Sequence, residues 1–143
     1  MRDTTREHCA QLGSDPLRMR KARRWLVSLV LDAGFPPRDA HELAVAFSEA
    51  AANVHRHAYG GRRDGRVDLR VAFDDERVVD SLDHDGVPFD PGRYTPPDLR
   101  RVSESGYGLY LIASLVDHVS FEGTSSGGRV VLVKRKSNVD VGV

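Results

Sequence analysis

The sequence predicts an α+β domain, a two-layer sandwich in which helices cover one face of a mostly antiparallel sheet. Two observations predict it. Apolar residues recur at intervals of three and four as far as Tyr59, then alternate with polar ones beyond Gly65. The chain has 143 residues, 40% of them hydrophobic, which suits one core that buries roughly two thirds of the unfolded surface. A single domain over 1–143 is expected, with its core at about 14–135 and a flexible tail at 136–143.

The elements follow in order. Ser14 or Asp15 can cap a helix that Pro16 opens. Leu17, Trp25, Leu26, Leu29 and Val30 give it an apolar stripe, and Gly34 ends it before Phe35-Pro36-Pro37. A second helix is predicted from Pro37 or Arg38 to Tyr59, closed by Gly60-Gly61, with Leu43, Phe47, Ala50 and Val54 on the buried face. Val67, Leu69, Val71 and Phe73 alternate as a half-buried strand does. Asp74-Asp75-Glu76 turns the chain into a paired strand over Val78 to Leu82. Asp83 to Ser105, rich in proline and glycine, reads as a long loop of the kind that serves as a lid. A short helix over Leu109 to Val116 and strands at Val119–Phe121 and Arg129–Val133 complete the domain.

Composition excludes several classes. The 21 basic and 21 acidic side chains cancel, which argues against nucleic-acid binding. The apolar stretch Trp25–Leu31 is far short of the roughly 20 residues of a membrane span. No apolar core follows the N-terminus, so a cytoplasmic protein without a membrane anchor is expected. One cysteine, Cys9, permits neither an intramolecular disulfide nor a cysteine-based zinc site. By segment the charge is uneven: seven acids against Arg77 over 74–90, and five bases over 18–24, where a solvated helix face is the plain reading.

Glu49, Asn53 and His57 stand four apart on one side of the second helix. A carboxamide oxygen can ligate magnesium, and a carboxylate one turn away can orient or deprotonate a hydroxyl. The same spacing also occurs on helices that are merely wet. His55-Arg56-His57 fails as a metal pair, because alternate residues of a helix point roughly 200° apart. His41-Glu42 fails as a zinc motif, because Val45 stands where a second histidine is needed. Asp83-His84-Asp85-Gly86 and Gly106-Tyr107-Gly108 bracket the long loop, and glycines at a helix start let backbone N–H groups hold phosphate.

In this order the motifs carry a family resemblance. Glu42 through Tyr59 (ELAVAFSEAAANVHRHAY), then Gly86-Val87-Pro88-Phe89-Asp90-Pro91, then Gly106-Tyr107-Gly108-Leu109-Tyr110-Leu111-Ile112, and finally Gly127-Gly128 span about residues 14–135. The chain resembles the histidine-kinase-like ATPases, the Bergerat fold of the GHKL superfamily. Within them it is most similar to the small serine kinases that act as bacterial anti-sigma factors. The resemblance implies ATP and Mg2+ as cofactors, Glu49 as general base and Asn53 as magnesium ligand. It puts His57, Asp83, His84, Asp85, Gly86, Gly106, Tyr107, Gly108 and Leu109 around the nucleotide, under a lid of residues 92–105. It implies phosphorylation of a serine on an anti-anti-sigma partner of STAS type, capture of a sigma factor, and a homodimer. Two positions depart from the pattern. His84 stands where the family has the aspartate that accepts the adenine amino group, and Glu104 replaces the first glycine of the phosphate loop. Both changes are expected to weaken ATP binding. The alternative is a regulatory binding module of the same fold with little or no catalysis.

Overall fold

A computed structural model describes residues 6–88 and 107–138. The order is β1 (Arg6–Gln11), α1 (Pro16–Asp32), α2 (Pro37–Asn53), a π-helical turn (Val54–Ala58), β2 (Val67–Phe73), β3 (Arg77–His84), α3 (Tyr107–Leu115), β4 (His118–Gly123) and β5 (Gly128–Arg135). The strands form one sheet in the order β1-β2-β3-β5-β4, antiparallel at every step. α2 packs against both α1 and α3, and all three lie over the same face.

Asp15 caps α1, its side chain accepting from Leu17 N at 3.0 Å, with Pro16 in the first turn. The buried stripe differs from the expected one. Met19, Ala22, Leu26 and Val30 face the core, Trp25 and Leu29 are half-buried, and Leu17 is 55% exposed. Arg18, Arg20, Lys21 and Arg24 face solvent, as expected of the basic run. Ser14 does not cap. Its hydroxyl donates to the Arg62 carbonyl at 2.5 Å and accepts from Gly65 N at 2.9 Å, tying the start of α1 to the loop before β2.

On α2 the expected face is the observed one, since Leu43, Phe47, Ala50 and Val54 are all buried. The helix is not uniform, however. After Asn53 it widens for one turn, and Gly60 (φ 59°) and Gly61 (φ 86°) then close it in the left-handed region that glycine enters without strain. Lys134 reaches up from β5 to the Glu42 carboxylate at 2.5 Å and to the Leu115 carbonyl at 2.7 Å. Ser137 donates from both its backbone N and its hydroxyl (2.8 and 2.6 Å) to Asp39, which is fully buried in the first turn of α2. The chain just past β5 is thus fastened to the start of α2, although the sequence suggests a loose tail from residue 136.

β1 is an addition to the expected elements. Its residues Arg-Glu-His-Cys-Ala-Gln carry little apolar surface, because an edge strand covers little of the core; His8 and Ala10 turn inward, His8 edge-on to Trp25 and Phe73 and Ala10 against the core. β3 runs two residues past the expected end, through Asp83 to His84, paired with Arg129 and Gly128 of β5. The start of the expected long loop at Asp83 is therefore corrected to Asp85, since β5 extends the ladder there. The helix-facing row of β3 is Val78, Asp80, Leu82 and His84, all buried. Asp80 is wholly enclosed between Val71 and Leu132, neither carboxyl oxygen has a hydrogen-bond partner among the described residues, and burial pushes its pKa up to about 8.

Candidate functional site

Glu49 and Asn53 lie one turn apart on α2, as predicted; Glu49 is half-buried and Asn53 is 9% exposed. The start of α3 meets them. A Cβ on Gly108 would stand 2.9 Å from Glu49 Oε2, so only glycine leaves the carboxylate its place. A carboxylate beside a helix N-terminus is also well placed electrostatically. Leu109 follows, half-buried. His57 sits on the π-helical turn with its residue exposed to solvent, and His55 Nδ1 faces away toward the Ser14 carbonyl at 2.7 Å, so the two histidines diverge as the helix reading requires.

The end of β3 meets the chain just beyond α2. Gly86 is pressed against the carbonyl of Ala58, the last residue of the π turn, and Val87 N donates to that same oxygen at 3.2 Å. A side chain at Gly86 would collide with backbone, so close approach alone accounts for the glycine. The three polar residues before it part company. Asp83 points to the helix-free face of the sheet, where Arg129 Nε approaches to 2.5 Å. Asp85 turns to Tyr59: its carboxylate lies 2.6 Å from the Tyr59 hydroxyl, and its backbone N donates to that oxygen at 3.0 Å. Burial, and next the Asp85 carboxylate, raise the phenol pKa. Only His84 faces the helix layer. It is 5% exposed, its ring lies 6.1 Å edge-on from Tyr59, and burial draws its pKa down against the pull of Asp85 and Asp83.

Tyr59 and Gly127-Gly128 are the parts that sequence reasoning undervalued. Tyr59 bonds the Arg66 carbonyl as well as Asp85, and so joins the helix end to both strands of the hairpin. A Cβ on Gly127 would strike the backbone of His84 and Asp85, and one on Gly128 would come 2.7 Å from His84 Nε2. The signal was the pair of consecutive glycines, which a tight turn would equally produce. Gly106, the lid at 92–105 and Glu104 lie outside the described residues, as does the side chain of Tyr107.

The acidic block over 74–90 does not form one surface. Asp74 caps the hairpin turn by accepting from Glu76 N and Arg77 N, Asp80 is in the core, Asp83 is ion-paired and Asp85 serves Tyr59. Among the described residues no three acidic, histidine or cysteine side chains converge as a metal site. The Asn53 amide oxygen is a hard donor that fits a magnesium ion bound mainly through phosphate and water, the usual manner for that ion.

α2 thus carries Glu49 beside the start of α3 and, through Ala58 and Tyr59 beyond its end, meets the end of β3. What those elements enclose over the sheet is the layout of an ATPase sandwich of the histidine-kinase type. The family described as the histidine kinase-like ATPase domain matches residues 12–134. The chain belongs to that family. It is 35% identical over 109 residues to the serine-protein kinase RsbW of Bacillus velezensis, covering 71% of this chain and 68% of the relative. It is 28% identical over 102 residues to the anti-sigma F factor of Clostridium novyi, covering 66% and 69%. Among solved structures, the RsbU and RsbW domains of a Mycobacterium tuberculosis protein superpose over 91% of this chain and 32% of that one, with a TM-score of 0.67 and 19% identity, a likeness of fold. Among the described residues no helix is long and apolar enough to cross a membrane.

The Gly108 contact makes a prediction. Gly108→Ala should displace the Glu49 carboxylate and lower phosphoryl-transfer turnover about tenfold or more, with the unfolding midpoint nearly unchanged, because alanine suits a helix. Steady-state kinetics beside a urea titration would check it.

Proposed function

We propose that this chain is an ATP-dependent serine-protein kinase that also sequesters a sigma factor. The carrying observation is the Glu49 carboxylate held against Gly108 at the start of α3, with the buried Asn53 amide one turn on. In this reading Glu49 accepts the proton of a partner's serine hydroxyl as that oxygen bonds the γ-phosphorus of ATP and the bond to the β-phosphate oxygen breaks, releasing ADP. Phosphoryl transfer of this kind depends on positioning and charge stabilisation, which the pinned α2 and the N-terminal end of α3 supply. Asn53 would hold Mg2+, whose part is to offset charge on the phosphates. The phosphoacceptor is an anti-anti-sigma protein of STAS type, and the chain works as a cytoplasmic homodimer. The names of the RsbW and anti-sigma F relatives support the choice of partners.

The test is direct. The purified protein, given Mg2+ and ATP labelled at the γ-phosphate, should transfer label to serine on the anti-anti-sigma protein and bind the sigma factor in a competition assay. Sigma-factor capture without transfer would favour the second reading, a binding module with little catalysis, for which the imidazole of His84 in the place of a carboxylate is the motivating observation.

A further inference from the structure

The end of β3 carries a choice of three side chains, Asp83, His84 and Asp85, and the structure removes two of them. Asp83 is on the wrong face and engaged by Arg129, while Asp85 is engaged by Tyr59. His84 remains, buried between Tyr59 and the bare Cα of Gly128, with Nδ1 sealed from solvent and, among the described residues, without a hydrogen-bond partner. A buried polar atom left unpaired is a standing cost that an incoming hydrogen-bonding group can relieve. Resting on the ATP reading above, in which the nucleobase meets the end of β3 at His84, we infer that this chain tells 6-amino from 6-oxo purines only weakly.

The chemistry of the two side chains makes the difference. A carboxylate only accepts, so it welcomes the exocyclic amino group of adenine and repels the 6-oxo group. A neutral imidazole presents one N–H and one bare nitrogen, and the hydrogen bond made by one nitrogen sets the state of the other. Among the described residues nothing engages Nδ1, so no contact there fixes the tautomer. A half-turn of the ring about its Cβ–Cγ bond also exchanges the edge that carries Nδ1. The ring can therefore accept from an amino group or donate to an oxo group at the same place. Burial keeps it neutral, the form in which both options exist.

The experiment is calorimetric titration of the full chain with Mg-ATP and with magnesium inosine triphosphate, which has an oxo group at C6 and a proton on N1. The native chain should bind the two within about fivefold. His84→Asp should favour ATP by about thirtyfold or more, since a site built to accept rejects a ligand that cannot donate. Should the aspartate variant fail to fold, spectra of the native chain with 15N-labelled histidine decide. The His84 ring nitrogen at the base should be unprotonated with ATP and protonated with inosine triphosphate. Strong preference for ATP in the native chain, or an unchanged His84 signal between the two complexes, would overturn the inference and leave the kinase reading standing. No binding of either nucleotide would overturn both.

Discussion

Glu49→Gln is expected to reduce phosphoryl transfer to the anti-anti-sigma serine by about a hundredfold to ten-thousandfold, the span that a positioned general base commands. The substitution removes charge and proton affinity but keeps the shape beside Gly108, so the packing of α3 on α2 should persist. Mg-ATP affinity should change by only a fewfold, because the carboxylate is assigned to the hydroxyl proton and not to the nucleotide. Rates with saturating partner, set beside nucleotide affinities for both proteins, check it. Transfer that survives at the native rate would remove Glu49 from the proton transfer. A loss of affinity equal to the loss of rate would reassign it to binding.

The second large effect concerns stability. With its pKa raised from 3.8 to about 8 by burial, Asp80 is protonated in the folded chain at pH 6 and ionised in the unfolded one. The protonated group's stabilising share is fully present below about pH 4 and is lost as pH rises toward 8, at roughly 1.4 kcal/mol per pH unit. His84, whose pKa is lowered, acts the opposite way, but only as pH falls below its usual range. Between pH 7 and 8 the Asp80 slope therefore stands apart. Asp80→Asn should abolish the fall in unfolding free energy over that interval. Asp80→Val, which matches the neighbouring Val71 and Leu132 in character, should add a few kcal/mol at pH 8 as it removes the unpaired carboxyl as well. Denaturant titrations at several pH values measure both. An equal slope in the native chain and in Asp80→Asn would show that the carboxyl is solvated or paired in solution.

Some of this was legible in the sequence, and the physics says which part. The helices and the buried face of α2 were, because a period near 3.6 sustained over several turns is what a one-sided helix requires and a strand cannot use. The Glu49/Asn53 pair was too, since four residues make one turn whatever surrounds them. The face of β3 was not. In Val78-Val79-Asp80-Ser81-Leu82 apolar residues occur at both parities, so alternation does not say which side is buried; the registers with β2 and β5 decide it and send Asp80 inward. The sorting of Asp83, His84 and Asp85 was hidden for the same reason, as a shift of one residue reverses a strand's faces. The π turn left no trace because it changes hydrogen-bond partners without calling for special residues, and β1 left none because an edge strand needs little apolar surface.

The fastening of α2 has a mechanical consequence. Near its N-terminal end Asp39 and Glu42 are held by Ser137 and Lys134; beyond its C-terminal end Ala58 and Tyr59 are held by the strand end at Asp85 to Val87. Such a helix behaves as a beam clamped at both ends, with Glu49 roughly midway along the span. Bending and twisting of the stretch that carries the carboxylate are both resisted, so its place over the sheet is set by contacts about two turns or more away on either side.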